Sequence, residues 1–199
     1  MIPVPLQPEP VPKFDTKVRQ PGIAWLNLHG IALTSPPPDP AALPPLWRNT
    51  QKELWRSYQG VCAYLCIYFE WPLGANSTDH FVAKSQDAGQ AYEWDNYRLS
   101  CMGMNRNKNK YDDVLDPFSL APDTFVLNLA SGKIGPNPSL PQATQEEAWA
   151  TIRRLKLDDP ETEKMRAAHY TEYLKGVPGW KLKKDSPFVW YEAKRQGLL

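Results

Sequence analysis

The 199-residue chain has 23 Lys and Arg against 22 Asp and Glu, a net charge of +1 that excludes a uniformly basic nucleic-acid-binding surface. Hydrophobic residues make up 42% of the chain, enough for a packed core, but no run of about 18 apolar residues occurs, so we expect no membrane span and no membrane partner. Three cysteines are an odd number for a disulfide framework and favour a reducing compartment, which predicts a cytoplasmic protein.

Residues 1–46 hold twelve of the 21 prolines. Proline fixes φ and removes a backbone donor, so this segment is predicted to be a proline-rich extended arm rather than a helix or a central strand. Interleaved apolar residues such as Phe14 and Trp25 indicate that the arm lies along a surface. A disordered leader is the alternative. We expect one domain, residues 47–199, to follow the arm.

Residues 45–59 have apolar side chains at helical spacing and are followed by Gly60, which predicts an amphipathic helix. The aromatic residues of this helix, including Trp47, are expected to pack in the core rather than to stack on bases. The next stretch, VCAYLCIYFEW, is rich in β-branched and aromatic residues. It predicts a strand or a tight hairpin.

Two strands and a helix are predicted next. TDHFVA predicts a short strand, the polar segment 85–95 a loop, and NYRLS another short strand. CMGMNRNKNKYDD then predicts a short helix. The order is therefore strand, loop, strand, helix.

The C-terminal half is predicted to support this motif. Two apolar runs around Ser131-Gly132 predict a hairpin. A capping-box pattern that opens at Thr144 predicts a helix that buries Trp149. Residues 160–175 and the stretch FVWYEAKRQGLL predict two more helices. We therefore expect helical support over residues 140–199.

Asp79 and Asn105 are candidate ligands for one divalent cation. If the helix packs on the two strands, Asn105 can face Asp79 across a small cleft. A carboxylate and a carbonyl oxygen are hard ligands that suit Mg²⁺ or Mn²⁺, and retained water leaves positions open for a phosphate. His80 is available near pH 7 to remove a proton from an attacking water. A buried core histidine is the alternative for His80.

The segments STDHFVAKS, YEWDNYRLSC and MNRNKNK together resemble the HNH (ββα-metal, His-Me finger) endonuclease motif. The resemblance covers about residues 60–117. It implies an α+β fold, in which a two-stranded antiparallel ribbon and a helix form an HNH core embedded in a mainly helical domain. Since many members also bind zinc through paired Cys-x-x-Cys motifs, the spacing of Cys62 and Cys66 and the methionine at Met104 are departures, and a structural zinc is not expected.

The resemblance also implies roles for individual residues. His80 would be the general base, and Asp79 and Asn105 would bind the metal. Asn96 would brace the loop and fix the orientation of His80. Asn109, four residues after Asn105 and expected on the same helix face, matches a further ligand position.

Four basic residues are candidates for contacts with nucleic-acid phosphates, namely Arg98, Arg106, Lys108 and Lys110. A solvated helix end is the alternative for the last three. Lys84 is expected to be a surface charge. The motif has five basic residues against four acidic ones, so intrinsic binding to nucleic acid is expected to be weak and salt-sensitive.

These features predict a metal-dependent endonuclease that hydrolyses DNA phosphodiesters, with RNA as an alternative substrate. The chain, including VLDPF and the terminal RQGLL, resembles small bacterial HNH proteins of anti-phage defence systems of the Septu type. Because those nucleases work beside an ATPase, the resemblance implies a partner protein such as an ATPase. The alternative function is a non-catalytic HNH-fold interaction module that binds a partner protein through its arm.

Overall fold

The computed structural model describes residues 1–199, which form two compact units. Each unit is assembled from separate stretches of the chain. We call them the site unit, made of residues 6–60 and 70–112, and the helical unit, made of residues 1–5, 61–69 and 113–199. The predicted division into an arm (1–46) and one domain (47–199) stays a prediction. No helix of either unit combines the length and the apolar character needed to cross a bilayer.

Helical backbone occupies part of the predicted arm. A π-helical turn, Asp15–Arg19, leads into α1, Gln20–Leu28. The expectation of an extended backbone is therefore wrong for these residues. Pro21 is the only proline among them, and it lies just after the π-helical turn, near the start of α1.

The helix predicted at 45–59 is confirmed, but its first half is a 3₁₀-helix rather than an α-helix. A 3₁₀ turn, Leu46–Thr50, continues into α2, Gln51–Ser57. Gly60 follows with a φ of 74°, a left-handed conformation that glycine adopts without steric cost and that commonly ends helices.

The site unit contains an antiparallel ribbon of two strands, β1 (Asn76–His80) and β2 (Tyr97–Cys101). Asp79 pairs with Arg98 and His80 with Tyr97 across the ribbon. The helix α3, Met102–Lys108, follows β2 directly and packs against both strands. The predicted order of strand, loop, strand and helix is confirmed.

Aromatic packing joins the N-terminal helix to this ribbon. Phe14 is fully buried and makes edge-to-face contacts with Trp94 and Tyr97, at centroid distances of 5.4 and 5.7 Å. Gly22 of α1 lies against the ring of Tyr92, where an added Cβ would come within 2.3 Å of a ring carbon. The N-terminal segment therefore belongs to the core of the site unit.

The helical unit has the predicted hairpin, β3 (Phe125–Leu127) paired antiparallel with β4 (Ile134–Pro136). Four helices follow, and their bounds are α4, Gln142–Leu155; α5, Pro160–Leu174; α6, Gly179–Asp185; and α7, Pro187–Arg195. The predicted helices in this half are confirmed, whereas α6 was not expected. The chain thus mixes helices with two small antiparallel ribbons, an α+β composition.

Two details of α4 differ from the prediction. The helix begins at Gln142, after Pro141, so Thr144 lies within the first turn and does not cap it. Trp149 is 41% exposed, because it lies about 100° around α4 from Ala148, at the edge of the face that buries Ala148, Ile152 and Leu155. The capping-box pattern therefore predicted the helix correctly, but neither its first residue nor the exposure of Trp149.

Candidate active site

The site unit contains a cavity of about 810 Å³ beside β1, which we call the His80 cavity. Six of the nine residues predicted for the site line it: Asp79, His80, Asn105, Arg106, Asn109 and Lys110. The other three, Asn96, Arg98 and Lys108, do not line it. The structure thus brings the predicted base and the predicted metal ligands to one cavity.

His80 is half-buried at the end of β1, with its two ring nitrogens in different environments. Nε2 lies 3.2 Å from the carbonyl oxygen of Ala91. Because a carbonyl only accepts, Nε2 carries the proton and Nδ1 is the basic nitrogen. Trp47 and Tyr97 pack against the imidazole edge-to-face, at 4.7 and 5.2 Å between centroids. The ring is therefore held in one orientation and one tautomer.

The surroundings of His80 keep its imidazole neutral. Burial of the ring lowers the pKa of His80 to about 4, and the nearby charges of Lys84 and Lys108 act in the same direction. The hydrogen bond to Ala91 opposes this shift without cancelling it. Because the imidazole is unprotonated at neutral pH, it can accept a proton there.

Asn96 fixes the loop that supplies the hydrogen-bond acceptor for His80. Its Oδ1 accepts from the Val82 amide at 2.8 Å, and its Nδ2 donates to the carbonyls of Val82 at 3.0 Å and Gln90 at 2.8 Å. Gln90 immediately precedes Ala91. The buried Asn96 amide therefore positions the backbone that orients the imidazole.

Tyr97 holds the same carbonyl from the second strand. Its hydroxyl donates to Ala91 O at 2.7 Å, so this oxygen accepts from both Tyr97 and His80. Burial raises the pKa of Tyr97, which keeps the phenol protonated and able to donate. No role for Tyr97 could be predicted from the sequence, because its contact with Ala91 depends on the path of the intervening loop.

Asp79 is buried and forms an ion pair with Lys108, whose ammonium lies 3.4 Å from Oδ2. Lys108 also donates to the carbonyls of His80 at 3.1 Å and Phe81 at 2.9 Å. Its side chain is fully buried, since it projects from the face of α3 that packs on β1. The prediction that Lys108 contacts phosphate is therefore corrected: its ammonium binds oxygens of its own chain.

Arg98 is also buried, with 3% of its surface exposed. Its guanidinium donates to the carbonyl of Asp95 at 2.6 Å and lies over the ring of Phe81 at 5.1 Å. Because Arg98 lies directly across the ribbon from Asp79, its side chain is enclosed by the same packing. The predicted phosphate contact is corrected here too.

Asn105 lines the cavity from the middle of α3. Its Nδ2 donates to Ser77 Oγ at 2.5 Å, which leaves the amide oxygen Oδ1 as a possible ligand. Asn109 also lines the cavity, but it lies beyond the end of α3 and has a φ of 52°. The expectation that Asn105 and Asn109 share a helix face is therefore wrong, because the helix ends at Lys108.

The donors at the cavity fit a hard divalent cation that keeps much of its water. Asp79 offers a carboxylate and Asn105 an amide oxygen, and no group of three or more His, Cys, Asp and Glu side chains converges anywhere in the chain. Mg²⁺ and Mn²⁺ accept such sparse oxygen sites, since Mg²⁺ retains several waters. Lys108 partly neutralises the negative charge of Asp79, so the affinity of this site for a divalent cation is expected to be modest.

Three residues that line the cavity were missed by sequence reasoning. Trp47 was expected in the core, Lys84 was expected to be a surface charge, and Arg48 was not singled out, yet all three line the His80 cavity. The position of Lys84 four residues after His80 was an available signal. The positions of Trp47 and Arg48 had none, because they depend on long-range packing.

No protein-family model matches the chain, and no curated protein matches it. The residues and geometry of the His80 cavity therefore provide the basis for inferring a function.

Proposed function

We propose that this chain is a metal-dependent endonuclease of the HNH type that hydrolyses DNA phosphodiester bonds. One observation carries the proposal. His80 is fixed by the Ala91 carbonyl so that Nδ1 is its basic nitrogen, and it lines the same cavity as Asp79 and Asn105. A positioned base, oxygen ligands and cationic side chains at one cavity suit phosphodiester hydrolysis.

In the proposed reaction His80 acts as the general base. Nδ1 accepts a proton from water, the water oxygen bonds to phosphorus, and the bond from phosphorus to the 3′ oxygen breaks. Tyr97 donates to the Ala91 carbonyl and Asn96 donates to the preceding carbonyl of Gln90, so both hold the oxygen that stabilises the imidazolium formed on Nδ1 protonation. A divalent cation held by Asp79 and Asn105 would stabilise negative charge on the phosphate and on the leaving oxygen.

Exposed cations around the cavity support nucleic acid as the substrate. Arg48, Arg106 and Lys110 line it and are exposed, so their charges are available to phosphates. Arg106 and Lys110 were predicted for this role and Arg48 was not, whereas Arg98 and Lys108 are buried. Contacts of this kind position a strand without reading its sequence, so DNA and RNA both fit. Digestion of matched DNA and RNA substrates side by side distinguishes the two.

The test is nicking of supercoiled plasmid in Mg²⁺ by purified full-length protein. We expect His80→Ala to lower the rate about 100-fold or more, because a general base contributes roughly two to four orders of magnitude. His29→Ala is the matched control, since His29 is exposed and does not line the cavity. Chelation of the metal should abolish nicking by the wild type. Undiminished nicking by His80→Ala would refute the role of His80.

The role proposed for the nuclease is that of an effector in bacterial anti-phage defence, with a partner protein such as an ATPase that delivers the substrate. The near-neutral charge of the chain supports the need for such help. Phe14 and Leu26 are buried in the site unit, so the N-terminal segment cannot be deleted without exposing that core. Partner binding should therefore be tested with the intact chain.

The ion pair between Asp79 and Lys108 favours a second candidate, a non-catalytic module that binds a partner protein. An aspartate already neutralised by a buried lysine has less negative charge to attract a cation. The two candidates differ in one assay. Protein that nicks no DNA with Mg²⁺, Mn²⁺ or Ni²⁺, alone and with its partner, would support the binding module.

A further inference from the structure

Four cationic side chains line the His80 cavity and form no ion pair, namely Arg48, Lys84, Arg106 and Lys110. Three of them are exposed, whereas Lys84 is half-buried. Its ammonium lies 4.8 Å from the ring centroid of Trp47 and makes no hydrogen bond within the chain. Burial, then the charge of Arg48, lower the pKa of Lys84, and Asp39 only partly opposes this. A partly dehydrated cation without a counter-ion is costly, so an anion that reaches it binds favourably.

The cavity supplies no anion of its own to meet that charge. Asp79 is the only acidic residue that lines it, and its carboxylate is paired with Lys108. Lys84 and Lys108 therefore differ in burial and in the groups that surround their ammonium nitrogens. Lys108 is fully buried with three oxygens around its ammonium, whereas Lys84 faces the cavity over an aromatic ring. Of these two lysines, only Lys84 remains available to a ligand.

Trp47 connects Lys84 to the candidate base. The Lys84 ammonium lies over the Trp47 ring, and the same ring contacts His80 at 4.7 Å with an interplanar angle of 86°. The backbone before Lys84 is held by Asn96, which binds both the amide and the carbonyl of Val82. The ammonium and the imidazole are thus positioned by one rigid assembly.

We propose that Lys84 binds a non-bridging oxygen of the phosphate group that lies beside His80 when a nucleic acid strand occupies the cavity. This inference rests on the proposed function for the identity of the anion. Lys84 stays protonated throughout and makes no covalent bond. Its charge offsets the negative charge that grows on the phosphate as water adds.

The test measures binding of a fluorescently labelled single-stranded oligonucleotide to full-length protein with the His80→Ala change and with metal chelated, so that no cleavage occurs. We expect Lys84→Met to weaken binding about tenfold and to reduce the slope of log Kd against log salt by about one. Methionine keeps a long apolar side chain against Trp47 while removing the charge. Lys84→Arg should retain most of the affinity.

Lys17→Met is the matched control, because Lys17 is an exposed lysine of the site unit that does not line the cavity. We expect it to leave affinity and salt slope unchanged. Equal affinity and slope for Lys84→Met and the parent would overturn the inference, as would the absence of any oligonucleotide binding. If Lys84→Met fails to fold, lysine acetylation of the parent is compared with and without oligonucleotide; Lys84 should be protected, and undiminished labelling would overturn the inference.

The outcomes separate this inference from the proposed function. Binding that depends on Lys84, together with no cleavage by wild-type protein in any metal, would keep the phosphate site and remove the nuclease. Cleavage that depends on His80, together with normal binding by Lys84→Met, would keep the nuclease and remove the phosphate site.

Discussion

The two antiparallel ribbons of this protein have similar architecture and different chemistry. The ribbon β1–β2 buries the charged side chains of Asp79 and Arg98, whereas the ribbon β3–β4 buries the apolar Phe125, Leu127 and Ile134. Because burying charge costs free energy unless partners are present, an apolar ribbon is the simpler structural solution. The buried charges of the ribbon β1–β2 are therefore explained best by a functional role, since this ribbon places Asp79 and His80 at the His80 cavity.

Two buried cations show the same contrast between the units. In the site unit, Lys108 has three oxygens around its ammonium. In the helical unit, Arg166 donates through Nη1 to the carbonyls of Gly132 and Leu157, while Nε and Nη2 have no partner. The ammonium of Lys108 is thus more completely satisfied than the guanidinium of Arg166, although the buried hydroxyl of Thr78 on β1 has no hydrogen-bond partner.

Removing the charge of Lys108 is expected to have the largest effect on the stability of the site unit. Lys108→Met leaves Asp79 buried without its ion-pair partner, so we expect a loss of about 3–5 kcal/mol in the free energy of unfolding. Chemical denaturation measures it. Lys164→Met is the control, because Lys164 pairs with Glu161 on the exposed surface of α5 and its loss should leave the free energy of unfolding nearly unchanged. A loss below about 1 kcal/mol for Lys108→Met would show that the pair does not stabilise the ribbon.

Replacing one asparagine in each unit sharpens the comparison. Asn96→Ala removes three buried hydrogen bonds to the loop before β2, and we expect a loss of roughly 2–3 kcal/mol together with reduced cleavage. Asn128→Ala removes two bonds in the exposed turn of β3–β4, with an expected loss under about 1 kcal/mol. Equal losses in thermal or chemical denaturation would contradict the special role given to the polar ribbon.

Tyr97→Phe tests whether the Ala91 carbonyl must be held from β2. The change removes one hydroxyl donor from a buried site, so we expect a loss of about 1 kcal/mol in stability. Because His80 then loses part of its alignment, kcat should fall while KM stays unchanged. Plasmid nicking kinetics provide both values. A rise in KM alone would assign Tyr97 to substrate binding instead.

The smallest expected effect is a pH dependence in the helical unit. Burial lowers the pKa of His169, and its Nδ1 has no partner, with Asp185 and Lys181 nearby as opposing charges. The neutral form is favoured by folding, so its contribution is present above the unfolded pKa of about 6.5 and is lost as pH falls. His169→Gln should lessen the stability loss between about pH 7 and about pH 5, by about 1 kcal/mol or less. An unchanged pH dependence would exclude His169.

The local order of the motif could be predicted from the sequence, because short strands and helices depend on nearby residues. The alternation in TDHFVA and NYRLS identified β1 and β2, and Asn105 was correctly placed on the helix after them. The extended backbone predicted for the proline-rich segment was wrong at residues 15–28 for a physical reason. Prolines at its two ends indicated an extended chain, while residues 15–28 contain only one proline, which follows the π-helical turn.

The environment of each charge could not be predicted from sequence spacing. Lys108 and Lys110 are two residues apart in a basic stretch, yet Lys108 is buried against β1 and Lys110 is exposed beyond the helix end. Which side of α3 packs on the ribbon decides between them. In the same way, Trp47 reaches His80 only through packing between distant segments. Long-range contacts of this kind are absent from local patterns.

In the proposed endonuclease, Asp79 and Asn105 hold one divalent cation beside His80. Paramagnetic broadening of the side-chain NMR signals of the three histidines during titration with Mn²⁺ tests it most directly. The His80 signal should broaden at the lowest Mn²⁺ concentrations, and the combined Asp79→Asn and Asn105→Ala variant should remove this effect. A His80 signal that stays sharp while Mn²⁺ is added, or that broadens equally in the variant, would contradict the claim.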